Sequence, residues 1–142
     1  MTARVFAHGR LAELTHDECI ALLSRNHLGR LAVVVGGRPL VFPVNYCLDG
    51  EHVVFRTDAG TKLHGALGGP VAFEIDGVDN LYHGGWSVLV VGDAEEIVDP
   101  ADRERLSRIP LGLWAGGEKP HWIRIRPAAV TGRRLRTPRA EP

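Results

Sequence analysis

The chain has 142 residues, with 17 Lys and Arg against 17 Asp and Glu, and 44% of its residues are hydrophobic. That length suits a single domain with a substantial core, and the zero formal net charge removes the overall field that would draw in nucleic acid or an anionic membrane. Two cysteines, Cys19 and Cys47, are too few and too scattered for a disulfide framework or a zinc site and read as buried thiols. With no stretch of about 20 apolar residues, a cytoplasmic protein with neither nucleic-acid nor membrane partners is the expectation.

In chain order, residues 1–13 carry weak signals and read as an arm or irregular lead-in. Thr15 and Glu18 then form a capping box, with Leu14 and Cys19 spaced as a hydrophobic staple. Cys19, Leu22 and Leu23 repeat at helical spacing, so a helix ends near Ser24–Asn26 and packs on a sheet. The run from Gly29 to Val35 predicts a buried strand, Gly36-Gly37 a tight hairpin, and Pro39 to Leu48 the next strand. Pro43 interrupts that strand and places a bulge or an edge there. Asp49-Gly50 turns into a third strand beginning near His52.

That third strand alternates through Val53, Phe55 and Thr57, turns at Asp58-Ala59-Gly60, and leads into a short helix from about Thr61 to Leu67. A strand that ends in a glycine turn and opens a helix leaves backbone N–H groups without intrahelical partners, a natural place for an anion. Arg56, Thr57, Thr61 and Lys62 add two cations and two hydroxyls around it, as phosphate recognition requires. The spacing is not that of a Walker loop. The plain alternative is a strand–turn–helix with ordinary surface cations.

Gly68-Gly69-Pro70 ends the helix, Val71 to Asp76 predicts a fourth strand, and Gly77 to Gly85 a polar connection. Trp86 to Val98 predicts a long strand, sharply bent at Gly92. Asp99 caps a largely polar helix with Pro100 at its first position. Ile109 to Pro120, with Trp114, reads as a surface loop. His121 to Arg126 alternates with period two, Pro127 interrupts it, and Val130 to Leu135 continues the edge. Residues 1–135 are read as one domain and 136–142 as a disordered basic tail. Six strands with two hairpins and a bent long strand predict a mainly β protein with short helices, a six-stranded antiparallel barrel.

The seven histidines show no pair with metal spacing and a third ligand nearby, so no metal is expected. His64 draws notice only because it follows Lys62. Ser87 lacks the turn of a nucleophile elbow, and no catalytic residue is assigned. Trp86 and Trp122 each begin a predicted strand; they pack at the rim or core, or cover a planar ligand.

Taken together, several ordered pieces resemble the FMN-binding split-barrel superfamily related to pyridoxamine 5′-phosphate oxidases. The style is that of the small actinobacterial oxidase-like and nitroimidazole-resistance flavoproteins. The pieces are Leu28-Gly29-Arg30-Leu31-Ala32, Pro43-Val44-Asn45-Tyr46, the run Val54-Phe55-Arg56-Thr57 with Gly60 and Lys62, Trp86-Ser87-Val88-Leu89-Val90 with Gly92, and His121-Trp122 with Arg124, Ile125 and Pro127. They span roughly residues 14–135.

The resemblance implies a Greek-key split barrel that forms a homodimer with flavin at the subunit interface. It implies that Arg56, Thr57 and Lys62, with Gly60 and Thr61 in the same turn, hold the FMN phosphate. Pro43, Val44, Asn45 and Tyr46 would then run beside the isoalloxazine ring, Trp86, Ser87 and Val88 would contribute from the neighbouring region, and Trp122 with Arg124 from the partner subunit. The arginine–histidine pattern with which pyridoxamine oxidases grip their substrate is not found in Glu118 to Pro127, so oxidation of vitamin B6 is not the expected activity. The implied function is an FMN-dependent oxidoreductase acting on an unknown small molecule. The alternatives are a deazaflavin-dependent reductase of the same fold or a non-catalytic flavin or haem binding module. A compact dianion pocket favours FMN over a deazaflavin with a long acidic tail.

Overall fold

The computed structural model describes residues 5–6, 9–79, 84–109 and 119–136. Strands β3 (Leu28–Val35), β4 (Arg38–Asp49) and β5 (His52–Thr57) form the expected meander, and helix α2 (Thr61–Leu67) follows. β6 (Pro70–Asp79) and β7 (Gly84–Glu96) form a hairpin, helix α3 (Pro100–Ser107) follows, and β8 (His121–Arg136) returns along the whole length of the sheet. Ahead of these lie β1 (Val5–Phe6), β2 (Gly9–Glu13) and helix α1 (His16–Arg25).

The pairing order β8-β5-β4-β3-β6-β7, with β7 also paired to β8, closes six strands into a ring. β6 lies beside β3 rather than beside β5, which is the Greek-key arrangement of three meander strands and a returning fourth. Closure leaves little free edge. Apolar residues at alternate positions fill the interior: Leu31 and Val33, Val44 and Tyr46, Val53 and Phe55, Val71, Phe73 and Ile75, Val88 and Val90, Ile123 and Ile125. Tyr46 and Phe73 meet edge to face with ring centroids 4.8 Å apart.

Helix α1 starts as the residues dictate. The Thr15 hydroxyl accepts from the Glu18 N–H at 3.1 Å, and the Glu18 carboxylate accepts from the Thr15 N–H at 3.0 Å. The helix buries Cys19, Leu22 and Leu23, and the carbonyl of Leu23 accepts from the Tyr46 hydroxyl at 2.6 Å. Asp99 caps α3 by accepting from the Ala101 N–H at 2.9 Å. Leu106 is the buried residue of α3, and it joins Val54, Ile97 and Trp122 in a small second cluster on the outside of the barrel.

Two expectations are corrected and two are sharpened. The lead-in is not irregular: β2 pairs with the end of β8 from Arg10↔Arg136 to Glu13↔Arg133, so Arg136 belongs to the sheet rather than to a tail. Pro43 causes no bulge, because the β3–β4 ladder runs through Arg30↔Pro43 without a shift. The other alternative, an edge, holds, since β5 pairs only with Tyr46–Asp49; the missing N–H is harmless there. Pro127 interrupts β8 as expected: the β7–β8 register slips by one between Val91↔Ala129 and Gly92↔Pro127, and β8 continues beyond it. Cys47 is half-buried rather than buried.

Gly92 marks the bend for a steric reason. A Cβ there would lie 1.9 Å from the carbonyl oxygen of Arg126, so only glycine lets β8 approach. The expected polar connection keeps only residues 80–83, including His83, outside the description, because the strands extend inward from both sides. Residues 110–118, with Trp114, and the tail 137–142 also lie outside the described residues.

Candidate functional site

The inner residues of three neighbouring strands, Tyr46, Phe55 and Ile123, lie side by side in the core. One step along, Asn45, Arg56 and Trp122 therefore share the outer face. Arg56 is half-buried. Its guanidinium carbon lies 4.7 Å from the centroid of the Trp122 ring, within the range of a cation–π contact. Its Nε donates to the carbonyl of Lys119 at 3.0 Å. Trp122 is buried, because the α3 cluster closes over it, and thus serves as a bracket under Arg56.

Beyond Arg56 the chain turns. Gly60 has φ 140°, a conformation that L side chains rarely adopt, and it precedes a helix of 7 residues with no side-chain cap. So short a helix has little dipole, and the positive character of the turn comes from side chains. Lys62 is partly buried with Nζ 5.9 Å from the centroid of the Phe42 ring. Burial, then the nearby positive charge of Lys119, hold its pKa below the ordinary lysine value, while Asp58 opposes them. Lys119 in turn places Nζ 3.7 Å from the Asp58 carboxylate. Arg56, Lys62, Lys119 and Asp58 thus form one cluster, and Thr61 is exposed beside it.

The free edge of β4 borders this cluster. From Arg38 to Asn45 that strand is paired only on its β3 side among the described residues. The amide oxygen Oδ1 of Asn45 is buried yet has no hydrogen-bond partner, which is costly for a polar atom unless a donor reaches it. Pro43 is exposed on the same face.

The other anticipated residues are placed differently. Val44 and Tyr46 point into the core; burial pushes the Tyr46 phenol far up, and only their backbone can meet a ligand. Thr57 is buried and its hydroxyl donates to the carbonyl of Asp58 at 3.1 Å, so it braces the turn instead of offering a free donor. Arg124 lies two residues from Trp122 on the same face of β8, but its Nε donates to Glu95 at 3.1 Å.

Trp86, Ser87 and Val88 are not brought to the cluster within one protomer. Ile97 N–H donates to the Trp122 carbonyl, while Trp86 pairs with Arg134 at the opposite end of β7. Roughly 36 Å of strand separates Trp86 from Ile97 at about 3.3 Å per residue. Trp86 packs over Gly77, and Val88 is in the core. His64 is exposed in the last turn of α2. The residue missed in the sequence is Lys119: its only sequence signal is a lysine two residues before a predicted strand.

Comparison with known proteins adds what geometry cannot. The family model described as pyridoxamine 5′-phosphate oxidase matches residues 15–134. An uncharacterized protein of Mycobacterium tuberculosis is 33% identical over 131 residues, covering 88% of this chain and 86% of the relative. The solved structure of the FAD binding protein from Mycobacterium smegmatis superposes with a TM-score of 0.75 at 39% identity, over 87% of this chain and 98% of that one. An FAD-binding protein from Mesorhizobium loti superposes with a TM-score of 0.74 at 27% identity, over 87% and 97%.

Proposed function

The chain belongs to the pyridoxamine 5′-phosphate oxidase family, and from that premise we propose that it is an oxidoreductase that binds FMN and acts on a small molecule. The bound flavin would supply the electron or hydride chemistry, and the protein binding, orientation and electrostatics. The observation that carries this reading is the meeting of Lys62, Lys119 and Asp58 at the turn after β5, with Arg56 bonded to the Lys119 carbonyl, beside the unpaired edge of β4.

In this assignment Arg56 and Lys62 neutralise the phosphate, Thr61 adds a hydroxyl, and Thr57 and Trp122 hold the turn and the guanidinium in place. The ring lies along Pro43–Asn45, with the backbone of Val44 and Tyr46 behind it. The donor that Asn45 Oδ1 lacks is of the kind the ring's imide N–H provides, so the chain has both an anion end and a planar, hydrogen-bonding end. That pairing suits a flavin nucleotide.

The protein is further proposed to be a homodimer. Val41, Ala32, Ala72, Val91 and Ala129 succeed one another in register across β4, β3, β6, β7 and β8, on the outer side of the barrel. Val41 is 62% exposed, and Val91 38%. A continuous apolar row of this kind marks an interaction surface. Trp86 to Val88, remote from the cluster in one protomer, would come to it from the partner, whereas Trp122 and Arg124 belong to the same subunit as Arg56.

The M. smegmatis relative, an FAD binding protein at 39% identity, favours one second reading, FAD. Its flavin half is that of FMN, so the same side chains would serve. The cluster is compact and suited to one dianion, which favours FMN. The experiment is the visible spectrum of the purified protein, with mass spectrometry of the released chromophore. Flavin bands and the mass of FMN support the proposal; the mass of FAD supports the second reading; no flavin, and none bound on titration, overturns both.

A further inference from the structure

We propose that Lys119 is a third cation of the phosphate site, held by Asp58 in the free protein and transferred from that carboxylate to the phosphate when the nucleotide binds. This rests on the flavin reading above and extends it to a residue outside the strand–turn–helix.

The geometry carries the assignment. Lys119 is brought from 63 residues away by the hydrogen bond between its own carbonyl and Arg56 Nε, at 3.0 Å. A second arginine, Arg103, donates to the carbonyl of the next residue, Pro120, so the segment is fixed at two consecutive points. The Lys119 side chain is only 23% exposed and its ammonium stands 3.7 Å from Asp58 Oδ2. That is longer than a close charge-assisted hydrogen bond of about 2.7–2.9 Å. The pair is therefore near enough to hold the lysine and loose enough to be exchanged for a better acceptor.

Charge gives the reason for exchange. Arg56, Lys62 and Lys119 carry three positive charges and Asp58 one negative, a surplus of two. A phosphate monoester at neutral pH carries about −1.5 to −2, which matches it. Lys62 and Lys119 repel each other until an anion lies between them. A phosphate that displaces Asp58 from Lys119 relieves that repulsion and gains a short ion pair. The step is an exchange of hydrogen-bonded partners and breaks no covalent bond.

The test compares three probes, FMN, riboflavin and inorganic phosphate, on wild type, Lys119→Gln, Lys119→Arg and Asp58→Asn. Lys119→Gln should weaken FMN by about tenfold or more, the usual scale for a lost charge-assisted contact. It should leave riboflavin unchanged, reduce the thermal shift given by phosphate, and be rescued in part by Lys119→Arg. Asp58→Asn should tighten FMN, because the competing carboxylate is gone. Equal weakening of FMN and riboflavin by Lys119→Gln would assign Lys119 a purely structural role and overturn the proposal, as would no change in either. If wild type binds neither flavin, the flavin reading fails. The proposal about Lys119 then stands or falls on the phosphate shift alone: lost in Lys119→Gln it stands, and equal or absent in both proteins it falls.

Discussion

The guanidinium of Arg56 lies 4.7 Å from the centroid of the Trp122 ring, and the two residues are directly paired across β5 and β8. The ring therefore acts on the site through the arginine it supports. Replacing it with a smaller apolar side chain, Trp122→Leu, should cost about 2–4 kcal/mol of stability, read by urea denaturation. It should also weaken FMN binding, whereas Trp122→Phe should retain most of both, because a benzene face still attracts a cation.

A similar bracket holds α3. Arg105 grips the Asp49 carboxylate with both terminal nitrogens, at 2.8 and 3.0 Å, and these bonds hold the Asp49 pKa below the ordinary carboxylate value. A depressed carboxyl contributes stability that is complete above its unfolded pKa and disappears as pH falls through its folded pKa. Asp49→Asn should therefore lower Tm at neutral pH. The gap to wild type should close on acidification below the usual range of about 4, as scanning calorimetry against pH would record.

At the bend of β7 the constraint is steric. Gly92→Ala places a methyl group 1.9 Å from the Arg126 carbonyl, so β7 and β8 must part. The expected loss is about 3 kcal/mol, at the upper end for overpacking. Gly69→Ala is the control: nothing lies within 4 Å of the added carbon, and its Tm should stay close to that of wild type.

The apolar row through Val91 predicts an assembly. Val91→Glu would put a charge into the proposed interface and should turn a dimer into a monomer in light scattering, while far-UV circular dichroism stays unchanged. A wild-type protein that is already monomeric at micromolar concentration would contradict the homodimer.

Much of this architecture was legible in the chain because it is written locally. Alternation in Gly29–Val35 and Val53–Thr57, the capping box of Thr15 and Glu18, and the Asp99-Pro100 start each depend on neighbours a few residues away. The Arg56–Lys62 turn was equally visible, since its cations sit on either side of one glycine. What escaped depends on distant partners. β2 has no alternation of its own to announce it, and it is a strand because the far end of β8 offers an edge. Lys119 joins the cluster only because β5 and β8 are neighbours in the ring, and no local pattern encodes strand order. Trp86 stands far from the cluster within its own chain for the same reason, the order of the strands around the ring. Period two within Pro43–Tyr46 separates inward Val44 and Tyr46 from outward Pro43 and Asn45.

The central claim is that the turn at Arg56–Lys62 recognises the phosphate of a flavin nucleotide. Its most direct test is titration of the flavin-free protein with FMN and with riboflavin, following the quenching of flavin fluorescence. FMN should bind at least about a hundredfold more tightly, two charge-assisted contacts at roughly tenfold each, and Arg56→Ala with Lys62→Ala should remove that preference. Equal affinities for FMN and riboflavin, or a preference that survives the double substitution, would contradict it.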